Sequence, residues 1–471
     1  MSHILTFDLG TTYFKVCLFD DAGEIIAVRR AVPPTHISDA ERHELPVDRF
    51  RDVLNDAVLE IADSVEGGLR HVVAISFATQ ANSFTLLDEH DQPLTPFILW
   101  PDNRACPAEP VIEELSNIDG FYQTTGIPGI SGQFLPAKLH WLKQHEPDIW
   151  SQTRRVCLIS DYLTLWLTGQ HATEAGTAGL TGLIDIHQIR WWPDALKHMS
   201  IPEGWLPKVV RAGTDLGCIR EDIATTWGLP ADCRFVVGCL DQYAGTIGAG
   251  NVTPGGVAET TGTVLATVRC ADHFDPNASQ DVFQGPGLDN HTWYQMVFGD
   301  TSANLLEAFR NSLPDRPSYE ALCDLASKVP QGSDGLHVDA SQVHHPEHMF
   351  LNQTGQHTTG HQARAILEAV AYALNQQINA LRGKAPPSRI RSVGGAARSE
   401  LWLQIKADVL GIPVQAMTCP EPTSLGAAIL AICSLRNTPI TTLASQLVQT
   451  RPTIYPDKES HNIYTQRPGN D

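Results

Sequence analysis

Two short turns rich in glycine and threonine constrain the fold of this chain more than any other feature. The first covers residues 8–12, between the apolar runs 4–7 and 14–19, and the second covers residues 261–263, inside the strand-like run 257–268. Each pattern predicts a β-hairpin, because an apolar run stops at turn residues and another run follows at once. The repetition indicates an internal duplication, in which two related α/β halves each open with such a hairpin.

A glycine-rich segment at residues 245–256 marks a domain boundary. We therefore predict an N-terminal domain over residues 1–248, a C-terminal domain over 249–440 and a peripheral tail over 441–471. The spacing of apolar residues predicts helices and strands in alternation before the boundary and mostly helices after it. The predicted helices cover residues 49–64, 136–145, 161–167, 221–227, 361–381, 399–410 and 424–435, and further strands cover 72–77, 235–238, 390–393 and 413–416.

The composition excludes several classes of protein. Hydrophobic residues make up 42% and charged residues 18% of the chain, which is enough apolar mass for folded cores. The net charge of −20 argues against a nucleic-acid partner, which would need clustered Lys and Arg. The apolar stretch 425–435 is too short to span a membrane and residues 1–8 lack signal-peptide features, so we expect no membrane association. Ten cysteines without a C-x-x-C pair indicate reduced thiols in a cytoplasmic protein.

The first turn has the residue types that bind phosphate. Gly10 lets the backbone approach a ligand closely, and the hydroxyls of Thr11 and Thr12 can bind phosphate oxygens together with the N–H groups of the turn. Lys15 adds a positive charge, and Asp8 is a candidate to hold hydrated Mg²⁺. The sequence is neither a P-loop nor a Rossmann fingerprint, and the alternative interpretation is an ordinary hairpin.

The second turn and a later glycine pair strengthen the phosphate hypothesis. Gly262 and Thr263 repeat the first turn, so two hairpins facing each other would clamp a polyphosphate from both sides. Gly394, Gly395 and Ala396 precede a predicted helix, and backbone without bulky side chains permits close approach of a nucleotide base or of phosphates. The alternative for this last segment is a plain turn between a strand and a helix.

One carboxylate and one aromatic segment are candidates for the acceptor side. Asp241 follows the predicted strand 235–238, and a carboxylate at the carboxyl end of a strand points into the crevice where α/β proteins bind ligands. It would position an acceptor hydroxyl and take its proton, unless it is only a helix N-cap. Trp100, Asp102 and Arg104 combine a flat apolar face with groups that suit sugar hydroxyls, unless they form a surface salt bridge.

In this order, the segments resemble the FGGY carbohydrate kinase family, which belongs to the actin/hexokinase-like ATPase superfamily. The similarity runs from about Ile4 to Leu435. The matching segments are residues 8–12 with Lys15 (first phosphate motif), 98–104 (I-L-W-x-D-x-R on the sugar side), 161–169, 181–185, 238–250 with Asp241 and Gln242, 261–263 (second phosphate motif), 361–372 (a family signature) and 394–399 with Trp402 (adenosine motif).

The resemblance implies two ribonuclease-H-like α/β domains around a central cleft, with the sugar on the N-terminal side and most of the nucleotide on the C-terminal side. It implies MgATP-dependent phosphorylation of a hydroxyl of a free sugar, a ketose such as a xylulose-like pentulose. The implied roles are catalysis by Asp241, phosphate binding by Thr11, Thr12, Lys15, Gly262 and Thr263, Mg²⁺ near Asp8, nucleotide binding by Gly394, Gly395, Ala396 and Ser399, and sugar binding by Gln80, Trp100, Asp102, Arg104 and Gln242.

The sequence departs from the family at two places. Residues 81–82 are Ala-Asn, where glycerol kinases have Arg-Glu and xylulokinases have Met-His, so glycerol is disfavoured and xylulose is not secured. The segment 336–355 is shorter than usual and contains a histidine cluster (His344, His345 and His348), which we set aside as a metal site because zinc sites show tighter Cys/His sets.

Several alternatives stay open. One alternative is that the acceptor is another ketose or polyol, such as a tetrulose, a heptulose or a sugar alcohol. A second is that the chain is an ATPase or acyl-phosphate kinase of the same superfamily. A third is that it is a sugar-binding regulator without catalysis. The resemblance also raises a homodimer as the assembly, which the sequence does not decide.

Overall fold

The structure, a computed structural model, describes residues 2–38, 42–381, 383 and 386–466. It divides into two compact units. The first comprises Met1–Gly250, Asp272–Tyr294 and Thr423–Leu447, and the second comprises Asn251–Ala271, Gln295–Pro422 and Val448–Asp471.

The strands, in chain order, are β1 (His3–Leu9), β2 (Phe14–Asp20), β3 (Ile25–Ala31), β4 (His36–Ile37), β5 (His43–Leu45), β6 (Val72–Thr79), β7 (Phe84–Leu87), β8 (Phe97–Ile98), β9 (Arg155–Leu158), β10 (Ala172–Glu174), β11 (Ile184–Asp185), β12 (Arg190–Trp191), β13 (Lys208–Val210), β14 (Asp215–Cys218), β15 (Arg234–Val236), β16 (Cys239–Leu240), β17 (Val257–Thr261), β18 (Leu265–Ala271), β19 (Phe283–Pro286), β20 (Trp293–Gly299), β21 (His337–Val338), β22 (Phe350–Leu351), β23 (Ile390–Val393) and β24 (Val414–Ala416).

The α-helices are α1 (Val47–Ser64), α2 (Pro110–Ser116), α3 (Phe121–Thr125), α4 (Leu135–His145), α5 (Pro147–Gln152), α6 (Ile159–Thr168), α7 (Ala175–Gly179), α8 (Pro193–Met199), α9 (Glu221–Trp227), α10 (Asp241–Gly248), α11 (Ala303–Ser312), α12 (Tyr319–Ala326), α13 (Thr359–Ala380), α14 (Glu400–Leu410), α15 (Pro422–Arg436), α16 (Ile440–Leu447) and α17 (Lys458–Thr465).

The main sheet of the first unit is built around the N-terminal hairpin. Its strand order is β14-β15-β6-β1-β2-β3, and β16 also pairs with β6. Strands β1 and β2 are antiparallel, whereas β1, β15 and β16 each run parallel to β6. All residues of β1 after His3 are buried, as expected for a central strand covered on both faces. A second sheet in this unit has the order β4-β5-β8-β7-β9.

The sheet of the second unit repeats this arrangement. Strands β17 and β18 form an antiparallel hairpin, β17 runs parallel to β23, and β23 runs parallel to β24. The order β20-β18-β17-β23-β24 therefore matches β3-β2-β1-β6-β15 of the first unit. Both units share the same hairpin followed by two parallel strands, which is the arrangement expected from an internal duplication.

The predicted elements are largely present, with some shifts. Helix α9 and strand β23 have the predicted bounds. The strand predicted at 235–238 instead ends at Val236, and β16 begins after a break at Gly238. Gly238 packs closely at this break, because a Cβ there would collide with the backbone of Phe77.

The unit boundaries differ from a single division near residue 249. The chain returns to the first unit twice, and each return has a packing reason. The backbone N–H of Gln284 donates to the carbonyl of Gly126 at 2.8 Å. In α15, Gly426 packs so closely that a Cβ there would meet the backbone of Ala244.

The predicted peripheral tail also contains an anchored helix. Tyr464 of α17 is only 1% exposed. Its hydroxyl donates to Glu368 Oε1 at 2.9 Å and accepts from Arg364 Nη2 at 2.9 Å. The segment predicted as a peripheral tail therefore contains a helix that is held by one buried aromatic side chain.

All ten cysteines lie in the described ranges, and no disulfide joins any of them. None of the helices in the described ranges is long and apolar enough to cross a membrane.

Candidate active site

The strand register of the first unit brings distant segments to one edge of the sheet. Leu9 at the end of β1 lies beside Thr79 at the end of β6, and Thr79 also lies beside Leu240 at the end of β16. These parallel strands end level with one another. The turn that begins at residue 10 and the first residue of α10, Asp241, therefore lie at the same edge.

Three charged groups interact at this edge. Asp8 and Lys15 face each other in the hairpin, and Lys15 Nζ lies 2.9 Å from Asp8 Oδ2. Burial and then the negative charge of Asp8 raise the pKa of Asp241 to about 7, although the backbone N–H of Gln242 and the charge of Lys15 act in the opposite direction. The structure thus places a carboxyl group that titrates near neutral pH beside the first Gly/Thr turn.

The predicted sugar side contacts the same turn. Trp100 Nε1 donates to Thr11 Oγ1 at 2.8 Å. Gln80 is 5% exposed, and its Nε2 donates to the carbonyl oxygens of Leu9 at 3.2 Å and Gly10 at 3.4 Å. Gln80 is thus engaged with the backbone of the turn, whereas Thr11 and its neighbour Thr12 are exposed.

Asp102 and Arg104 form an internal ion pair. Asp102 has no exposed surface and accepts from Arg104 Nε at 2.8 Å and Nη2 at 2.9 Å, and from the backbone N–H of His43 at 2.8 Å. Burial acts to raise the pKa of Asp102, but the hydrogen bonds and charge of Arg104 outweigh it and hold that pKa below its usual range. Arg104 also donates to Glu44 at 2.6 Å. In this arrangement the pair holds the chain segment that carries Trp100.

The sequence predictions do not include Lys138 of α4. Lys138 has no exposed surface, and its Nζ donates to the carbonyl oxygens of Leu99 at 2.7 Å and Trp100 at 3.0 Å. Burial lowers the pKa of Lys138 to about 7. The one available signal was a lysine on the apolar face of a helix, which does not by itself reveal its partners.

In the second unit, the register again brings two turns together. Thr260 of β17 lies beside Val393 at the end of β23, so the turn 261–263 and the segment 394–397 leave the same edge. Gly394 has φ +87°, and a Cβ there would lie 3.0 Å from the carbonyl oxygen of Thr261. Both the backbone conformation and the close approach require glycine at this position.

A cavity of about 600 Å³ lies between these turns and the helices α11, α12 and α14. Its walls include Leu306, Tyr319, Leu401 and Trp402, which suit the flat face of a nucleotide base. The predicted nucleotide residues that line it are Gly262, Thr263, Gly395, Ala396 and Ser399. Ser399 also caps α14, its Oγ accepting the backbone N–H of Trp402.

A buried ion pair supports the second turn. Glu259 and Lys406 have no exposed surface, and their Oε1 and Nζ atoms are 2.6 Å apart. Lys406 also donates to Thr261 Oγ1 at 2.8 Å, and that hydroxyl donates to Glu259 Oε2 at 2.6 Å. Ser392 donates to Glu259 as well. The sequence predictions missed this cluster, because its members come from three separate elements.

The histidine cluster is on the surface. His345 and His348 lie 3.7 and 3.8 Å from Glu347, and all three side chains are more than half exposed. Within the described ranges, no group of three or more His, Cys, Asp or Glu side chains is arranged to hold a metal ion.

The chain matches models of two family domains. Residues 3–248 match the N-terminal domain of the FGGY family of carbohydrate kinases, and residues 229–435 match its C-terminal domain. The chain belongs to the FGGY family of carbohydrate kinases. As a member of this family it is an ATP-dependent sugar kinase that acts on a small-molecule sugar.

Relatives and solved structures agree with this family. The chain is 26% identical to a xylulose kinase of Staphylococcus epidermidis, with 98% of this chain and 94% of the relative covered. It is 27% identical to a gluconokinase of Bacillus subtilis, with 92% and 87% covered. A ligand-bound xylulose kinase from Lactobacillus acidophilus superposes with a TM-score of 0.89 at 23% identity, covering 99% of this chain and 96% of that one. The last likeness shows the two-domain FGGY kinase fold.

Replacing Lys406 with Met should destabilise the second unit of this kinase. The change leaves the Glu259 carboxylate buried without its cation, which costs about 3–5 kcal/mol. We expect a lower thermal unfolding midpoint by differential scanning calorimetry. The control is Lys328→Met, which changes an exposed lysine of the same unit and should leave the midpoint nearly unchanged. The double variant Glu259→Gln/Lys406→Met should have a higher unfolding midpoint than Lys406→Met alone, because the unpaired carboxylate is removed. A midpoint equal to or below that of Lys406→Met would show that the two residues do not act as a pair.

Proposed function

We propose that this kinase transfers the γ-phosphoryl group of MgATP to a hydroxyl of a ketose, with Asp241 as the general base. The observation that carries the proposal is the position of Asp241 directly after a strand that ends level with the Gly/Thr hairpin. In this position the pKa of Asp241 is raised to about 7. A general base works best when its pKa is close to the operating pH. The xylulose kinases among the relatives and structural neighbours support a pentulose as the acceptor.

The proposed reaction is a direct phosphoryl transfer. The acceptor hydroxyl oxygen forms a bond to the γ-phosphorus while its proton passes to the carboxylate of Asp241. The bond from the γ-phosphorus to the bridging oxygen breaks, and its electron pair leaves with ADP. Lys15 and the hydroxyls of Thr11 and Thr12 would hold phosphoryl oxygens, because they combine a positive charge with exposed donors.

Mg²⁺ would be held near Asp8. The residues fit such an ion, because Mg²⁺ prefers one or two carboxylates together with phosphate oxygens, and the charge of Asp8 already acts on a second carboxyl group, that of Asp241. When bound, the ion would neutralise charge on the phosphate oxygens. Lys15, whose Nζ lies 2.9 Å from Asp8 Oδ2, would also neutralise charge on the phosphate oxygens.

We assign the sugar to the first unit and the nucleotide to the second. Trp100 would present its flat face to the sugar, and Gln80 and Gln242 would lie on the same side. Asp102 and Arg104 would support this wall from behind, since Asp102 has no exposed surface. In the second unit, the proposed nucleotide contacts are Gly262, Thr263, Gly395, Ala396 and Ser399 around the cavity, with Gly394 shaping the turn behind them.

We also propose the cytoplasm as the location, because ten cysteines without a disulfide suit a reducing compartment. A homodimer remains a prediction from the family resemblance.

A panel of acceptors should identify the substrate class. We expect ADP formation, measured by a coupled assay, only when a sugar is present, and fastest with xylulose among pentuloses, hexuloses, tetruloses, gluconate and polyols. ADP formed without any acceptor would indicate an ATPase, and no ADP with any acceptor would indicate a regulator. Gluconate as the best acceptor would keep the kinase activity but replace the ketose with a sugar acid, as in the gluconokinase relatives.

Asp241→Asn should abolish turnover with the best acceptor. Loss of a positioned base lowers the rate by about 10²–10⁴-fold. ATP binding, measured by calorimetry, should change by less than about twofold, because Asp241 is not among the groups proposed to hold the nucleotide or its phosphates. The control Asp222→Asn changes a surface carboxylate of the same unit that pairs with Arg220 and should retain full activity. Wild-type turnover in Asp241→Asn would disprove the role of Asp241 as the base.

The pH dependence of kcat/KM should show how the charges of Asp8 and Lys15 change the pKa of Asp241. Because the base must be ionised, activity should fall as the pH drops below about 7. Asp8→Asn removes a like charge and should move this acid limb to lower pH, whereas Lys15→Met removes an opposite charge and should move it to higher pH. Protonation of ATP itself is common to all three enzymes, so the differences report on the protein. If the acid limbs of the wild type, Asp8→Asn and Lys15→Met coincide, the assignment of Asp241 as the general base would be contradicted.

A further inference from the structure

A closed ring of hydrogen bonds joins the first Gly/Thr turn to the segment that carries Trp100. Gln80 Nε2 donates to the carbonyl oxygens of Leu9 and Gly10. Gln80 Oε1 accepts from Ser83 Oγ at 2.8 Å, and Ser83 Oγ accepts from the backbone N–H of Trp100 at 2.8 Å. The indole of Trp100 closes the ring by donating to Thr11 Oγ1 in the turn. We call this ring the Ser83 relay.

The main chain of Trp100 is held on both sides, by Ser83 of the relay and by Lys138 outside it. Its N–H is held by Ser83, and its carbonyl oxygen accepts from Lys138 Nζ at 3.0 Å. Ser83 and Lys138 have no exposed surface, so neither can contact a ligand. Whatever they contribute to the reaction must therefore act through their hydrogen-bond partners, which for Ser83 are Gln80 and Trp100 and for Lys138 are the carbonyl oxygens of Leu99 and Trp100.

The direction of the hydrogen bonds has a consequence for Thr11. The indole N–H of Trp100 can only donate, so Thr11 Oγ1 accepts at 2.8 Å. The hydroxyl proton of Thr11 is then free to be donated elsewhere, and Thr11 is exposed. A hydroxyl held in this way is set to donate to an oxygen of an incoming phosphoryl group.

We propose that Ser83 is a positioning residue, which holds Trp100 so that its indole orients the Thr11 hydroxyl as a donor to the transferred phosphoryl group. This inference rests on the proposed function for the identity of that group. It implies that the aromatic wall for the sugar and the donor for the phosphoryl group are parts of one hydrogen-bonded unit. Trp100 would therefore have two roles, one through its ring face and one through its N–H.

Trp100→Phe separates these two roles, because it keeps an aromatic face and removes the N–H. We expect kcat to fall about tenfold, as for the loss of one hydrogen bond in the transition state, while KM for the sugar changes less than about twofold. Ser83→Ala should lower kcat by a similar factor, and Ser83→Thr should restore part of it by returning the hydroxyl. A larger change in KM than in kcat would mean that Trp100 acts only as a sugar contact and would overturn the inference.

A double-mutant cycle tests whether Trp100 acts through Thr11. If it does, Trp100→Phe should have little further effect on kcat in a Thr11→Val background, and Ser83→Ala should behave in the same way. Additive losses would overturn the inference. Matched controls are Trp191→Phe, which removes an indole donor to the carbonyl of Pro207, and Ser76→Ala, which removes a buried hydroxyl without a partner. Both controls should retain the wild-type kcat.

A second readout does not depend on activity. The indole ¹H–¹⁵N resonance that disappears in Trp100→Phe should shift in Thr11→Val and in Ser83→Ala, and should be unchanged in Ser76→Ala. An unchanged resonance in Thr11→Val would overturn the relay even in an active enzyme. Conversely, a wild-type protein that forms no ADP with any sugar would end the proposed function, while the resonance shifts would still decide whether the relay exists.

Discussion

Parallel strands that end level with one another bring the candidate site residues of the first unit together. Because β1, β6 and β16 stop at the same height, the residues that follow them must share one edge of the sheet. Asp241 is thereby brought under the influence of Asp8 and Lys15, although it lies far from both in the sequence. The second unit uses the same geometry, since β17 and β23 deliver two turns to the edge that borders its cavity.

The charged groups around these edges fall into two physical classes. In the pairs Asp102–Arg104 and Glu259–Lys406, the buried carboxylates face a cation and additional donors, so they hold the chain in place. Such pairs are costly to break and contribute geometry rather than reactivity. Asp241 differs, because a neighbouring carboxylate opposes its ionisation and Lys15 offsets this only in part. A partly compensated carboxyl group near neutral pH is suited to accept a proton.

Rigid support surrounds the exposed groups. Thr11 is exposed, but the backbone beside it accepts from Gln80 and its hydroxyl accepts from Trp100. Ser83 and Lys138 in turn fix Trp100 from the interior. A catalytic arrangement must be held within fractions of an ångström, and buried hydrogen bonds on regular elements supply that precision.

Local patterns were sufficient for much of the fold. Apolar runs broken by Gly/Thr turns predicted both hairpins, and helix α9 and strand β23 have the predicted bounds, because periodicity and turn residues act over short distances. Helix bounds elsewhere moved by one or two residues, as at α13. The tail was less predictable, since the packing of Tyr464 depends on residues 96 and 100 positions earlier.

The sequence by itself determined the kinds of groups available: the two Gly/Thr turns, the carboxylate of Asp241 and the family to which the chain belongs. Only the tertiary structure decided how each group is used. It turned Asp102 inward onto Arg104, and it engaged Gln80 with the backbone of a turn. The physical reason is that the burial, charge and hydrogen-bond partners of a side chain are set by neighbours from other strands and helices, which residue type and spacing do not specify.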